Sequence, residues 1–250
     1  MRHVKSLLRI IEADTVAHER EIGRYFSLTK ASKLTDGPKN AFSLPAGVTC
    51  PGKTRCKLNG CADCYAKGGN HRFARVMRAH VRNFLTLEEY RARGDAAGCA
   101  RVLAGKIIGE CVPCFRVHES GDFYSEFQID VWARVARALP EIKFWAYTRT
   151  YWLNYGPLVE LPNWQHYFSI DDDNFEAVLK TRASLSYGHK IKLAEISPTG
   201  IDSAKYITRS TGFTCPAGKG QALDGVPGAC LRCKLCWSGK CRKSPVFIKH

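Results

Sequence analysis

The 250-residue sequence has no uninterrupted apolar run of the roughly 18 residues that a membrane-spanning helix needs. Its first residues, MRHVKSLLRIIEAD, also lack the features of a signal peptide, because Arg9 interrupts the apolar stretch and no small-residue cleavage site follows. Both absences argue against a membrane protein and against a secreted one. We therefore expect a cytoplasmic protein with no membrane partner.

Acidic residues are also scarce. The chain carries 23 Asp and Glu against 38 Lys and Arg, which gives a formal net charge of +15. Such an excess favours a polyanionic partner, namely DNA, RNA or a nucleotide. A solvated surface tuned for solubility has the same composition, so charge alone leaves both interpretations open.

Cysteine, in contrast, is abundant and clustered. A reducing compartment keeps thiols out of disulfides, so the 12 cysteines of this chain need another explanation. Three of them, Cys99, Cys111 and Cys114, stand apart. The others form a first group (Cys50, Cys56, Cys61 and Cys64) and a second group (Cys215, Cys230, Cys233, Cys236 and Cys241). This clustering favours metal binding over a disulfide framework.

The spacing within the groups indicates which metal is bound. A C-x2-C-x2-C run such as Cys230–Cys233–Cys236 is typical of a [4Fe–4S] cluster, and Cys215 is the natural fourth ligand. The first group ends in a C-x2-C hook that supplies two ligands, and its other two cysteines can complete a set of four. We therefore expect one or two clusters in the chain. Zinc is the alternative, because it binds paired C-x2-C hooks that a longer stretch separates.

The apolar pattern divides the chain into three parts. Residues 1–30 are predicted to form an amphipathic helix and a linker, and residues 206–250 a cysteine-rich, metal-binding tail. Between them, over 31–205, predicted strands near 41–49 and at 114–120, 143–148, 166–170 and 190–197 alternate with helices. Predicted helices cover 71–84 and 87–108 with a break at Gly94, and others follow a Ser125-x-x-Gln128 capping box and Asp173 or Asn174.

This alternation is typical of an α/β fold with a parallel sheet and right-handed crossovers. We expect a partial or complete β/α barrel of the TIM type, with an open doubly wound sheet as the alternative. In either architecture, ligand sites lie at the carboxyl ends of the strands.

The predicted strand ends supply polar side chains for such a site. The candidates for acid–base catalysis and anion binding are His118, Glu119, Asp122 and Arg149, and those for holding a cofactor are Ser120, Asp171 and Glu195. Structural roles are the alternative. His118 then lies in the core, Ser120-Gly121-Asp122 forms a turn, and Arg149 bridges to Asp171 on the neighbouring strand.

One helix face is strongly basic. Arg72, Arg75, Arg78 and Arg82 recur at helical spacing, and Tyr65, His71 and Phe73 lie beside them. Arginines can follow a phosphate backbone while aromatic rings stack on bases, so we expect this face to contact nucleic acid. A solvated helix surface is the alternative.

Several of these segments together resemble a known family. The segments TCPGKTRC, CADCYA, RVHESGDFYSEFQIDVW, KFWAYTR and CLRCKLCW are similar to those of the phage and actinobacterial gene-product eighty-eight family. The resemblance implies a protein of a phage-infected or bacterial cell. More distantly, the chain resembles radical-SAM-like partial barrels, in which a C-x3-C-x2-C loop binds a [4Fe–4S] cluster with one iron open to S-adenosylmethionine. Here Cys56, Cys61 and Cys64 stand in the similar place with C-x4-C-x2-C spacing.

Three functions follow from these observations. The leading hypothesis is a radical-SAM-like iron–sulfur enzyme that acts on nucleic acid or a nucleotide, with S-adenosylmethionine as a further cofactor. The second is a non-catalytic regulatory protein that iron–sulfur or zinc stabilises and that binds nucleic acid. The third is a redox or electron-transfer protein.

Overall fold

The computed structural model describes residues 26–30, 37–52 and 64–248. Most of the predicted N-terminal helix and linker lies outside the described residues. So do Cys56 and Cys61 of the first cysteine group.

A single eight-stranded sheet forms the centre of the fold. Its strands are β1 (Leu28–Thr29), β2 (Ala41–Phe42), β3 (Cys114–Val117), β4 (Lys143–Thr148), β5 (Trp164–Ile170), β6 (Ile191–Ser197), β7 (Gly212–Thr214) and β8 (Ser244–Ile248). The order across the sheet is β1-β2-β3-β4-β5-β6-β8-β7. Only β1 is antiparallel to its neighbour, and all other pairs are parallel. A mixed α/β fold with a mostly parallel sheet is therefore confirmed.

Barrel closure is not observed. In a closed barrel the two outer strands pair with each other, but in the described part of the chain β1 and β7 lie at opposite edges without pairing. From β2 to β6 the strands nevertheless follow one another in chain order. A doubly wound sheet instead reverses its order at a switch point, so the observed sheet matches neither expected architecture in full.

Six α-helices are present among the described residues. They are α1 (Ala74–Ala92), α2 (Ala96–Gly109), α3 (Glu126–Ala138), α4 (Gly156–Val159), α5 (Phe175–Ser184) and α6 (Ala229–Cys233). The break predicted at Gly94 is confirmed, because Gly94 separates α1 from α2 with a φ of 66°. No helix of the described residues is both long and apolar enough to cross a bilayer.

The main hydrophobic core lies on one face of the sheet, which we call the helix face. Four phenylalanines point to this face from alternate strand positions and are fully buried together with Trp132 of α3. They are Phe42, Phe115, Phe144 and Phe168. Stacking of helices on this face explains why those strand positions are apolar.

The opposite face, which we call the tail face, carries polar and aromatic side chains. In the register of the strands, Arg116 lies beside Trp145, Tyr147 lies beside Tyr167, and Tyr167 lies beside Lys192. Residues of the tail cover this face, because Cys230, Leu231, Cys236 and Trp237 pack against a small cluster of Ala41, Cys114 and Trp145. The tail also supplies β7 and β8 to the sheet, which the sequence pattern did not predict.

The predicted capping box at the start of α3 is wrong in detail. Ser125 does occupy the N-cap, but its hydroxyl makes no capping hydrogen bond and is buried without a partner. Gln128 accepts a hydrogen bond from the backbone N–H of Tyr124 at 2.8 Å instead. Asn174, the N-cap of α5, likewise makes no capping bond, because its side chain accepts from the N–H of Asp171.

Candidate functional site

The second cysteine group lies on the tail face of the sheet, where hydrogen bonds fix its backbone. The Tyr167 hydroxyl donates to the carbonyl oxygen of Cys236 at 2.9 Å. The indole N–H of Trp237 donates to the carbonyl oxygen of Cys230, also at 2.9 Å. Lys192 reaches the same segment and donates to the carbonyl oxygen of Cys241 at 2.6 Å. Strand residues therefore determine where these cysteines lie.

Three other cysteines of this group belong to the electrostatic surroundings of Cys236. Burial raises the pKa of the Cys236 thiol well above its ordinary value, and the nearby thiols of Cys215, Cys230 and Cys233 raise it further. These are the four tail residues predicted to be metal ligands, and two of them, Cys230 and Cys236, pack against the same small cluster of the sheet.

Among the described residues, no group of three or more His, Cys, Asp or Glu side chains could hold a metal ion in the present geometry. A tetrahedral zinc site with bonds of about 2.3 Å brings its sulfur atoms to within about 3.8 Å of one another. A cluster of four irons binds each thiolate at a different iron and so does not require this contact.

A half-buried arginine lies near residues of both cysteine groups. Arg116 of β3 donates from Nη2 to the Tyr65 hydroxyl at 3.1 Å, and its guanidinium carbon lies 5.5 Å from the centre of the Tyr147 ring. It is close enough to Cys230 for their charges to interact, and Tyr65 directly follows Cys64 of the first group. The Tyr65 hydroxyl also donates to the carbonyl oxygen of Glu119. The residue that follows Cys64 and the tail residue Cys230 thus both lie near Arg116.

Glu119 is held at the end of β3 by neighbours from three segments. Its carboxylate lies 3.4 Å from Nε2 of His71 and accepts from the Ser43 hydroxyl at 3.1 Å. Burial alone would raise the pKa of Glu119, but the hydrogen bond from His71 and the charge of Arg116 outweigh burial and lower it. Glu119 is therefore a carboxylate in an ion-paired network beside Tyr65.

Asp122 and Arg149 hold neighbouring strand ends together. The Asp122 carboxylate accepts from the backbone N–H of Phe123 at 2.7 Å and of Arg149 at 2.9 Å, and from the Thr150 hydroxyl at 3.4 Å. Burial raises the pKa of Asp122 to about 6, although these donors oppose the shift. The bridge between Arg149 and Asp171, predicted as the structural alternative, is confirmed.

The start of the first cysteine loop packs against the same strand ends, those of β3 and β4. A Cβ atom at Gly52 would lie 2.4 Å from the carbonyl carbon and oxygen of Arg149, so only glycine allows this approach. The backbone N–H of Asp122 donates to the carbonyl oxygen of Thr49 at 3.0 Å, and Gly47 donates to the sulfur of Cys50 at 3.4 Å. The loop therefore begins at the carboxyl ends of β3 and β4, as expected from the sequence.

The other strand-end candidates are buried in structural roles. His118 is 3% exposed and points into the helix-face core, with its ring 4.5 Å from that of Phe123. The Ser120 hydroxyl donates to the carbonyl oxygen of Leu44 at 3.0 Å. Glu195 accepts backbone N–H groups from Lys205, Tyr206 and Ile207 at 2.6, 3.1 and 2.8 Å. The structure does not bring these three side chains together at an open surface.

Sequence comparisons identify the family. The family model described as Gene product 88 matches residues 14–239. The chain belongs to the Gene product 88 family. The Gene 88 protein of Mycobacterium phage D29 is 29% identical over 246 residues, which cover 92% of this chain and 95% of that protein. The Gene 88 protein of Mycobacterium phage L5 is 29% identical over 242 residues, which cover 90% and 93%.

The comparisons also limit what the family membership implies. No solved structure matches this Gene product 88 chain. The family model and both phage relatives give no support to the predicted relationship with radical SAM proteins.

Several residues of the site in this Gene product 88 chain were not predicted from its sequence. Arg116, Tyr147, Tyr167 and Lys192 lie on the tail face, where the cysteine tail packs. A strand of a parallel sheet is normally apolar on both faces. Polar or aromatic residues at alternate positions, such as Arg116 in β3, Tyr147 in β4 and Tyr167 in β5, were therefore the signal that one face holds something other than a helix.

Proposed function

We propose that this member of the Gene product 88 family is an iron–sulfur protein whose tail holds one [4Fe–4S] cluster through Cys215, Cys230, Cys233 and Cys236. The observation that carries the proposal is that Cys230 and Cys236 pack against the same small cluster on the tail face, with Cys233 between them in the same short segment and Cys215 directly after β7. Thiolates are the ligands that iron–sulfur clusters use, and the C-x2-C-x2-C run supplies three of them from one short segment.

The surroundings of the four thiols suit an anionic cluster. Tyr147 packs against the same cluster as Cys230 and Cys236, and the Tyr167 hydroxyl bonds to the backbone of Cys236. Side chains around such clusters tune their reduction potential. Arg116 places a positive charge beside Cys230. When bound, a cluster of this kind supplies one-electron redox chemistry. The residues of the chain orient it, shield it and compensate its charge.

The number of ligands decides among the predicted functions. With four cysteines on one cluster, no iron keeps an open position for S-adenosylmethionine. Electron transfer is therefore the function we propose for the tail site, in preference to radical chemistry. Binding of S-adenosylmethionine would fall to the first cysteine group, of which the structure describes Cys50 and Cys64.

Metal analysis of anaerobically purified protein tests the proposal directly. We expect broad visible absorption and roughly four iron and four sulfide per chain. Cys233→Ser and Cys236→Ser should lose the absorption, whereas Cys111→Ser, at an exposed cysteine outside both groups, should retain it. Roughly eight irons would indicate a second cluster in the first group.

Two results would overturn the proposal. A colourless protein with stoichiometric zinc would show that the cysteines bind zinc and not a cluster. A protein without metal would show that they form no metal site. Reductive cleavage of S-adenosylmethionine by the purified protein would contradict the electron-transfer role and support the enzyme hypothesis.

A further inference from the structure

A basic surface on α1 lies outside the cysteine site. Arg72, Arg75, Arg78 and Arg82 are all exposed, and we call them the arginine face. Residues three and four apart share one side of a helix, so Arg75, Arg78 and Arg82 form a row about 10 Å long. Arg72 extends the row from the 3-10 turn that precedes the helix.

On the described helix α1, no acidic residue lies among the arginines of the arginine face. The helix carries no carboxylate before Glu88, and none of the recorded ion pairs of the described residues involves these four arginines. Arg91 and Arg93, at the other end of α1, do pair with Glu88 and Glu89. Positive charge near a helix N-terminus is unfavourable, because the helix dipole favours anions there. A locally unfavourable arrangement of charge is expected where a surface has to bind an external anion.

The row of arginines borders concave surfaces. Arg75, Arg78 and Arg82 line a cleft of about 400 Å³ together with Ser27. Arg82 also lines an adjoining cleft of about 460 Å³ with Lys39, Lys106 and Glu110, whose carboxylate accepts from the backbone N–H of Lys39 at 2.7 Å. Basic side chains along two adjoining clefts offer a continuous path for a chain of phosphates rather than a point for one ion.

An exposed aromatic ring stands at the start of this path. Phe73 is the N-cap of α1, directly follows Arg72 and is 62% exposed, which is unusual for a phenylalanine. Such a ring can stack on a base, and only unpaired bases present their faces. We propose that the arginine face binds the phosphates of single-stranded DNA or RNA and that Phe73 stacks on one of its bases.

Binding of labelled oligonucleotides to the intact protein, followed by fluorescence anisotropy, tests this site. We expect single strands to bind with an affinity that falls steeply with salt. The double variant Arg78→Gln/Arg82→Gln should weaken binding about tenfold. It should also make the slope of the logarithm of the binding constant against the logarithm of salt concentration shallower by about 1.4, which is about 0.7 for each of the two lost phosphate contacts. Phe73→Ala should weaken single-strand binding about tenfold and leave duplex binding unchanged.

A matched control separates a local surface from overall charge. Arg101→Gln/Arg137→Gln removes the same two charges from exposed positions on α2 and α3 and should bind as the unaltered protein does. Equal weakening by both double variants would overturn the proposal, because net charge would then explain binding. Equal affinity for duplex and single strand with no effect of Phe73→Ala would overturn it as well, and so would binding to anionic lipid vesicles alone.

Discussion

At the scale of single residues, Asp122 links stability to pH. Its pKa rises from 3.8 to about 6 on folding, because burial disfavours the charged form. The folded protein therefore holds this proton more tightly than the unfolded chain does. The resulting contribution to the free energy of unfolding is fully present below pH 3.8 and is lost as the pH rises through about 6.

Replacement of Asp122 by asparagine should remove this pH dependence. Between pH 4 and pH 7, the stability of the unaltered protein relative to Asp122→Asn should fall by about 2.4 kcal/mol. Urea denaturation of both proteins at several pH values measures the difference. A difference that stays constant across this range would show that Asp122 does not change its protonation state on folding.

Gly52 provides a second residue-scale test, because its neighbour is rigid backbone. Gly52→Ala should lower the free energy of unfolding by about 1–3 kcal/mol, since the new methyl group would overlap the carbonyl group of Arg149. Gly68→Ala, on the far side of the first cysteine group, is the matched control. Its Cβ would meet only the carbonyl oxygen of Tyr65 at 3.6 Å, an ordinary contact, and stability should change by less than about 0.5 kcal/mol. Equal losses would contradict the close approach.

The strand-end residues show what a sequence pattern can predict at this scale. The positions of His118, Asp122 and Glu195 near strand ends follow from periodicity, and the structure places them there. Whether a side chain points outward or satisfies the backbone of a distant segment is set by tertiary contacts. Glu195 bonds to residues 205–207, a segment whose path its local pattern does not reveal.

At the scale of elements, two helix starts differ in their capping. The Asp95 carboxylate at the start of α2 accepts from the N–H of Gly98 at 2.7 Å, whereas the Ser125 hydroxyl at the start of α3 is buried without a partner. Asp95→Ala should therefore cost about 1 kcal/mol. Ser125→Ala should be neutral or slightly stabilising, because it removes an unsatisfied polar group. Thermal unfolding of the two variants compares them, and a larger loss for Ser125→Ala would contradict the observed geometry.

Prediction of elements succeeded where local pattern and packing agree. Strand β4 and the break at Gly94 were predicted correctly, because burial on the helix face and a left-handed glycine each leave a local signal. The strands β7 and β8 left none. They lie among the cysteines and glycines of the tail. Their strand conformation depends on the pairing of β8 with β6, which is distant in sequence, and of β7 with β8.

At the scale of the whole molecule, the tail is joined to the sheet in two ways. Its strand β8 pairs with β6 through Glu195, Ile196 and Ser197, and its cysteine segment covers the tail face. The sequence predicts a tail that starts near residue 206 from its loss of periodicity. The contacts that join it to β3, β4 and β6 are long-range and leave no mark in the local sequence.

These connections predict one cooperative unfolding transition for the body and the tail. Far-UV circular dichroism follows the helices. The part of the tryptophan fluorescence that is absent from the Trp237→Phe variant reports on the tail. Both signals should show the same urea midpoint, because unfolding of β8 would expose the edge of β6 and the tail face at once. Trp152→Phe, at an exposed tryptophan outside the tail, controls for the loss of an indole. A tail signal that disappears at a lower urea concentration than the dichroism would show that residues 206–250 unfold as a separate unit, and that packing on Trp145 and Tyr147 contributes little to the stability of the sheet.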